Sequence, residues 1–379
     1  MSNRPFLAGA LVLAVAMGVG RFAYTPLLAI MRVDAGLTVS MAGVLASINL
    51  AGYLVGAALG MLPLLRTHRR AYVIAAPILV ALLTAAMALG PAVWPTARFV
   101  TGVASGVSFV LVTSLLLDYL HGRASTYGAA ILFSGVGIGI AGSGALVAAF
   151  ARLGGSSAAW LGTGVVSLLL LIAFVRWLPA DSSPPAPDAS AGRGGLGAPF
   201  VWLSIAYGIE GAAYVIPATF LVVLIRQTPA IAGLADAAWI VVGLVAIPSM
   251  AFVAMATRRF GAPRALIVAT AVQALTFLGP ILLPGALGVA VIAVGLGGTF
   301  IVITALSTAI GRSMAPHRSN FVVGLMTVIY GAGQVAGPLL ATWISLTTGS
   351  YRPALVDASI ALVAGTVALI VGIGRTAPA

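Results

Sequence analysis

Long apolar stretches, broken by short polar interruptions, run the whole length of the chain. A helix needs about 20 residues to cross a bilayer core, and twelve stretches reach that length. They cover approximately residues 6–31, 39–65, 71–89, 92–117, 125–150, 157–178, 200–225, 232–256, 262–283, 286–310, 320–346 and 351–373. The pattern predicts an all-α membrane protein with twelve transmembrane helices. The first stretch is too long for the apolar region of a signal peptide, and no small-residue cleavage pattern ends it, so it is expected to remain as the first membrane helix. Spans seven and nine carry an internal proline, which neighbouring helices tolerate in a membrane.

The longest interruption, residues 179–199, holds Pro184, Pro185 and Pro187 among Ser and Gly and reads as a flexible linker. It separates six spans from six, predicting lobes at 1–178 and 200–379. The halves also share short motifs in the same order. Gly18-Val-Gly-Arg-Phe-Ala-Tyr24 in span one answers Gly208-Ile-Glu-Gly-Ala-Ala-Tyr214 in span seven. Ser108-Phe-Val-Leu-Val-Thr113 in span four answers Thr299-Phe-Ile-Val-Ile-Thr304 in span ten, and Gly135-Val-Gly137 answers Gly331-Ala-Gly333. Three matches at nearly one offset indicate an internal duplication. Two parallel halves with a solute site between them describe a known transporter architecture.

Composition supports a lipid environment: 61% of residues are hydrophobic and 7% charged, and mean hydropathy is +1.15. A soluble chain carries about 25% charged residues. The net charge of +12 does not indicate nucleic-acid binding, because the arginines lie in short loops between apolar runs and not on one basic face. With the N-terminus inside, thirteen arginines fall in inner loops and four (Arg32, Arg152, Arg226 and Arg352) in outer loops. The positive-inside rule then places both termini in the cytoplasm of an inner-membrane protein. The chain has no Cys, and its three His, at 68, 121 and 317, fall in loops. No close carboxylate pair and no phosphate-binding loop is present, so neither enzyme chemistry nor a cofactor or metal is expected.

Two further motifs are informative. The loop after span two runs Gly60-Met-Leu-Pro-Leu-Leu-Arg-Thr-His-Arg-Arg70, and span four carries Arg98-Phe-Val-Thr-Gly102-Val-Ala-Ser-Gly106. With its twelve spans, central linker and parallel halves, the chain resembles the major facilitator superfamily. The loop keeps that superfamily's glycine and terminal basic pair, and Leu64 stands where it has an acidic residue. Gly18-Val-Gly-Arg-Phe-Ala-Tyr-Thr-Pro26 and Gly331-Ala-Gly-Gln-Val-Ala-Gly-Pro338 are similar to the YbfB/YjiJ-like branch. The resemblance implies transport and assigns no substrate.

Within the spans lie four charges, Arg21, Arg98, Glu210 and Asp357. Each costs about 2.5–3.5 kcal/mol to insert at a helix centre, so each is a functional candidate. In the resembled fold, spans one, four, seven and ten line the central cavity, and the first three charges fall on three of these. Arg21, Tyr24 and Thr25 share one helical face, as do Tyr207, Glu210 and Tyr214. With Arg98, Thr299 and Thr304 they form the expected solute site. An arginine fork suits a carboxylate. Asn49, Tyr53, Tyr330 and Gln334 are expected at the cavity rim. A carboxyl that is alternately buried alone and set beside an arginine binds and releases a proton, so Glu210, with Asp357 as a second candidate, is expected to carry the coupling ion. The bland alternative is a static Glu–Arg bridge, or guanidinium bonds to backbone carbonyls that hold helices together.

The expected function is secondary transport of a small organic anion with protons, by alternating access, as a monomer in the bilayer. A broad-specificity drug or metabolite exporter and a membrane sensor or scaffold without turnover remain as alternatives.

Overall fold

The computed structural model describes residues 4–66, 68–120, 126–179, 196–315 and 319–374; these form helices and their connections, with no strand among them. Residues 180–195 of the expected linker lie outside the described residues, as do His121 and His317. Among the described residues, 11 helices are long and apolar enough to cross a membrane. They are α1 (Arg4–Asp34), α2 (Val39–Gly60), α3 (Arg69–Leu89), α4 (Trp94–Leu120), α5 (Thr126–Phe174), α6 (Ala198–Arg226), α7 (Ala235–Phe260), α8 (Ala262–Leu282), α9 (Gly285–Met314), α10 (Ser319–Thr348) and α11 (Arg352–Ile373).

At 49 residues, α5 exceeds the roughly 20 that one crossing needs. It is broken at Gly154 and Gly155, where Gly155 takes φ +64°. The fifth and sixth apolar stretches fall on either side of this break. The second arm starts with unpaired backbone N–H groups, as every helix does, and Asp34 at the end of α1 caps it. The Asp34 carboxylate accepts from the Ser156 backbone N–H and, at 2.9 Å, from the Ser156 hydroxyl. A side chain at 155 would also collide with that carboxylate. Asp34→Ala is therefore expected to cost about 0.5–2 kcal/mol, the usual worth of an N-cap. Asp34→Asn, which keeps an acceptor, should cost less. Thermal unfolding in detergent measures both, and equal midpoints for the two variants would show that Asp34 does not act as the cap.

Proline placement follows the expectation. Pro217 lies inside α6, and Pro280 lies inside the ninth stretch, Ala262–Leu282. Regular α-helix pauses there after Phe277 and resumes as the short turn Gly279–Leu282. A proline cannot supply the N–H that would continue the preceding helix. Pro26 in α1 and Pro77, Pro248 and Pro338 also lie inside described helices.

The first helix is not a plain α-helix. Residues Ala14–Phe22 form a π-helical stretch, closed by Ala23 N–H donating to Gly18 O at 2.8 Å. Pro26 follows four residues after Phe22 and has no N–H for it, which favours a local change of register. The widened turns expose carbonyls to neighbouring helices. Ser105 donates to Ala16 O, Ser143 to Gly18 O at 3.3 Å, and Asn49 to Gly20 O at 3.3 Å.

Small residues set the closest helix crossings, as expected in lipid, where packing and not the hydrophobic effect drives association. A Cβ on Gly102 or Gly106 of α4 would strike the carbonyls of Asn49 or Tyr53 on α2. One on Gly52 or Gly56 of α2 would strike those of Phe99 or Val103 on α4. Gly18 of α1 meets Gly139 of α5 backbone to backbone, and Gly208 of α6 meets Gly333 of α10. The first arginine of the basic pair after α2 is also built in: Arg69 is fully buried and its guanidinium donates to Ser114 on α4 at 2.9 Å.

The chain forms two compact units, residues 1–184 with 219–248, and residues 185–218 with 249–379. The boundary crosses α6 just after Pro217.

Candidate functional site

In the first unit, the predicted residues of α1, α2 and α4 come together. Asn49 of α2 is the link: its amide donates to Gly20 O and, at 2.8 Å, to Arg98 O. The Gly102 crossing brings α2 and α4 close enough for this bond. The Arg98 guanidinium lies 4.3 Å from the Tyr24 ring centroid and donates to Gly20 O at 3.2 Å and Leu45 O at 3.5 Å. Arg98 is thus bound to backbone carbonyls, one of them in the π-helical stretch. Tyr24 donates its hydroxyl to Ala42 O at 3.0 Å. Arg21 lies within the π-helical stretch with its guanidinium 4.3 Å from the Tyr53 ring centroid and 5.3 Å from that of Phe22. Arg21, Thr25 and Asn49 are all buried. Two cations on aromatic faces, each contact worth about 0.5–2 kcal/mol, give this cluster a positive interior.

The second unit gathers a different set. Four rings stack with nearly parallel planes, in the order Tyr207, Tyr330, Tyr214, Phe300. Their centroids are 4.3, 5.8 and 5.8 Å apart. Gly208 and Gly211 on α6 allow this, since a Cβ at 211 would strike the Tyr330 backbone. Thr304 and Tyr330 share a hydroxyl contact at 3.2 Å, and Gln334 donates to the Tyr214 hydroxyl. Thr299 instead bonds back to Gly295 O of its own helix at 2.6 Å.

Glu210 sits on the same helix as Tyr207 and Tyr214 and is 1% exposed. Neither carboxyl oxygen has a hydrogen-bond partner. Tyr330 faces it, and the Gln273 side chain on α8 approaches it without closing a bond of ordinary geometry. Gln273 is itself fully buried with both amide atoms unpartnered. Asp357 stands apart, at an exposed position on α11. Sequence reasoning passed over Gln273, although an amide within a 16-residue apolar helix was a visible signal. It also passed over the π-helical stretch, for which Pro26 was the signal.

No curated protein matches this chain. A crystal structure of a mutant of the nucleoside transporter NupG has the same fold, with a TM-score of 0.72 at 14% sequence identity, over 97% of this chain and 100% of that one. Across residues 13–370 the sequence matches the family described as "Uncharacterised MFS-type transporter YbfB". The chain is a membrane transporter of the major facilitator superfamily and belongs to that family.

Proposed function

We propose that this protein is a proton-coupled secondary transporter that moves a small organic anion across the inner membrane by alternating access. The observation that carries the reading is Glu210: a carboxyl buried in a membrane helix with no hydrogen bond to either oxygen. A buried carboxyl held by an arginine stays charged, whereas one without such a partner can take a proton. In this reading the two arms of α5 are separate spans, making twelve in two halves of six, and the bias of loop arginines supports cytoplasmic termini. The Gly18–Gly139 and Gly208–Gly333 crossings support the duplication, because in each half the first and fifth spans meet at glycines. The transporter works as a monomer, with solute, protons and lipid as its partners.

Arg21 is the anion anchor in this reading. Arg98 serves the fold, holding the π-helical stretch through Gly20 O. A panel of carboxylates, amino acids and flat apolar drugs, screened by thermal shift in detergent, tests the solute class, since a ligand at about 100 times its Kd adds about 2.7 kcal/mol to the stability of the folded state. For a carboxylate found this way, Arg21→Lys is expected to weaken binding about tenfold or more, because the charge stays but the planar fork is lost. Parent-like binding by both Arg21→Lys and Arg21→Ala would show that the anchor is elsewhere. The four-ring stack favours a second reading, an exporter of flat apolar solutes; stabilisation by the drugs and not by the carboxylates would select it.

A further inference from the structure

We infer that Glu210 and Gln273 form one proton-binding dyad, with Gln273 holding the carboxyl in both of its protonation states. This deepens the proposed function and rests on Glu210 carrying the coupling proton. Four polar atoms, both Glu210 oxygens and both Gln273 amide atoms, are buried together without hydrogen-bond partners. Leaving one such group unbonded costs roughly 1–3 kcal/mol, so mutual pairing after a small side-chain movement is strongly favoured. An amide suits this position because it offers both kinds of group. Its N–H donates to the carboxylate; its carbonyl accepts from the protonated acid. An arginine in its place would bond only the charged form and fix it.

The surroundings fit a neutral partner. The titratable groups facing Glu210 are tyrosines: Tyr330 from α10, with Tyr207 and Tyr214 on its own helix stacked against it. Gly365 brings α11 against α6 near Ile209, and Ser359 of α11 donates to Ala274 O beside Gln273 at 2.7 Å. Among the described residues of this unit, the other charges, Arg258, Arg259, Arg264, Arg312, Arg352 and Asp357, all occupy exposed positions. Gln273 therefore stands as the positioning residue of the site.

Dicyclohexylcarbodiimide, which reacts with protonated carboxyls buried in membrane proteins, tests this without a known solute. The full chain in proteoliposomes is treated across a pH series, and the adduct at Glu210 is measured by peptide mass spectrometry. In the parent, labelling is expected to fall as pH rises, and Glu210→Gln should remove it. Gln273→Leu takes away the donor to the carboxylate, so labelling should persist at alkaline pH, about tenfold above the parent, the worth of one bond to a charged group. Gln273→Glu keeps size and polarity and adds a second carboxyl, so it too should retain label at alkaline pH. If the parent labels with pH but either folded variant follows the parent curve, the dyad is overturned and Gln273 is only packing. If Glu210 takes no label at any pH, the coupling reading itself falls, and the dyad with it.

Discussion

Glu210→Gln is expected to abolish accumulation driven by a pH gradient while leaving solute exchange intact. Glutamine has the shape and hydrogen-bonding groups of the protonated acid but cannot release a proton. Net movement coupled to protons requires that release; exchange of solute for solute does not. The variant should also fold well, because the parent carboxyl is buried without a bond to either oxygen, and removing an uncompensated ionisable group from the interior is not costly. The measurement is paired in the same proteoliposomes: net uptake of a thermal-shift hit under a gradient, and counterflow without one. Loss of both activities would make Glu210 structural, and retention of both would move the coupling site elsewhere.

The second large effect is expected at Gly102. Its Cα faces the carbonyl of Asn49, and an added methyl group would fall within contact distance of backbone, which cannot swing aside as a side chain can. Gly102→Ala should force α2 and α4 apart at a cost of about 1–3 kcal/mol, typical of overpacking, and Gly102→Leu should leave little folded protein. The cost reaches beyond packing. Separation breaks the Asn49 bond to Arg98 O and shifts both the Asn49 amide and the Arg98 guanidinium from Gly20 O. The π-helical stretch that carries Arg21 then loses two of its supports. Gly142, on α5, meets nothing within 4 Å of an added Cβ, so Gly142→Ala serves as the control and should stay within about 0.5 kcal/mol of the parent. Thermal unfolding and size-exclusion profiles in detergent read the series. Parent-like behaviour of Gly102→Leu would refute the close crossing.

Several residues of the proposed site stand out in the sequence. Intramembrane charge marked Arg21, Arg98 and Glu210 because hydrocarbon tolerates charge only with a reason. Helical spacing put Tyr207 and Tyr214 on the face of Glu210, and the structure brings Tyr330, Gln334 and Thr304 to those same rings. Asn49 and Tyr53, expected at a rim, contact Arg98 and Arg21. What spacing does not encode is which neighbour a side chain meets. Arg98 could face a solute or a carbonyl from the same helical position, and only the packing of α1 against α4 brings Gly20 O within its reach.

The linear sequence therefore determined the class of solvent, the approximate spans and the family. These follow from apolar run length, loop arginines and short motifs, properties that are local or summed along the chain. Tertiary structure alone decided two things: the capping of α5's second arm by Asp34 and the meeting of Gln273 with Glu210. Each depends on contacts between residues far apart in sequence. Asp34 and Ser156 are 122 residues apart, and Glu210 and Gln273 lie on different helices. In lipid every apolar face is equally satisfied, so hydropathy cannot choose helix neighbours. Close approach at glycines and the pairing of buried polar groups make that choice.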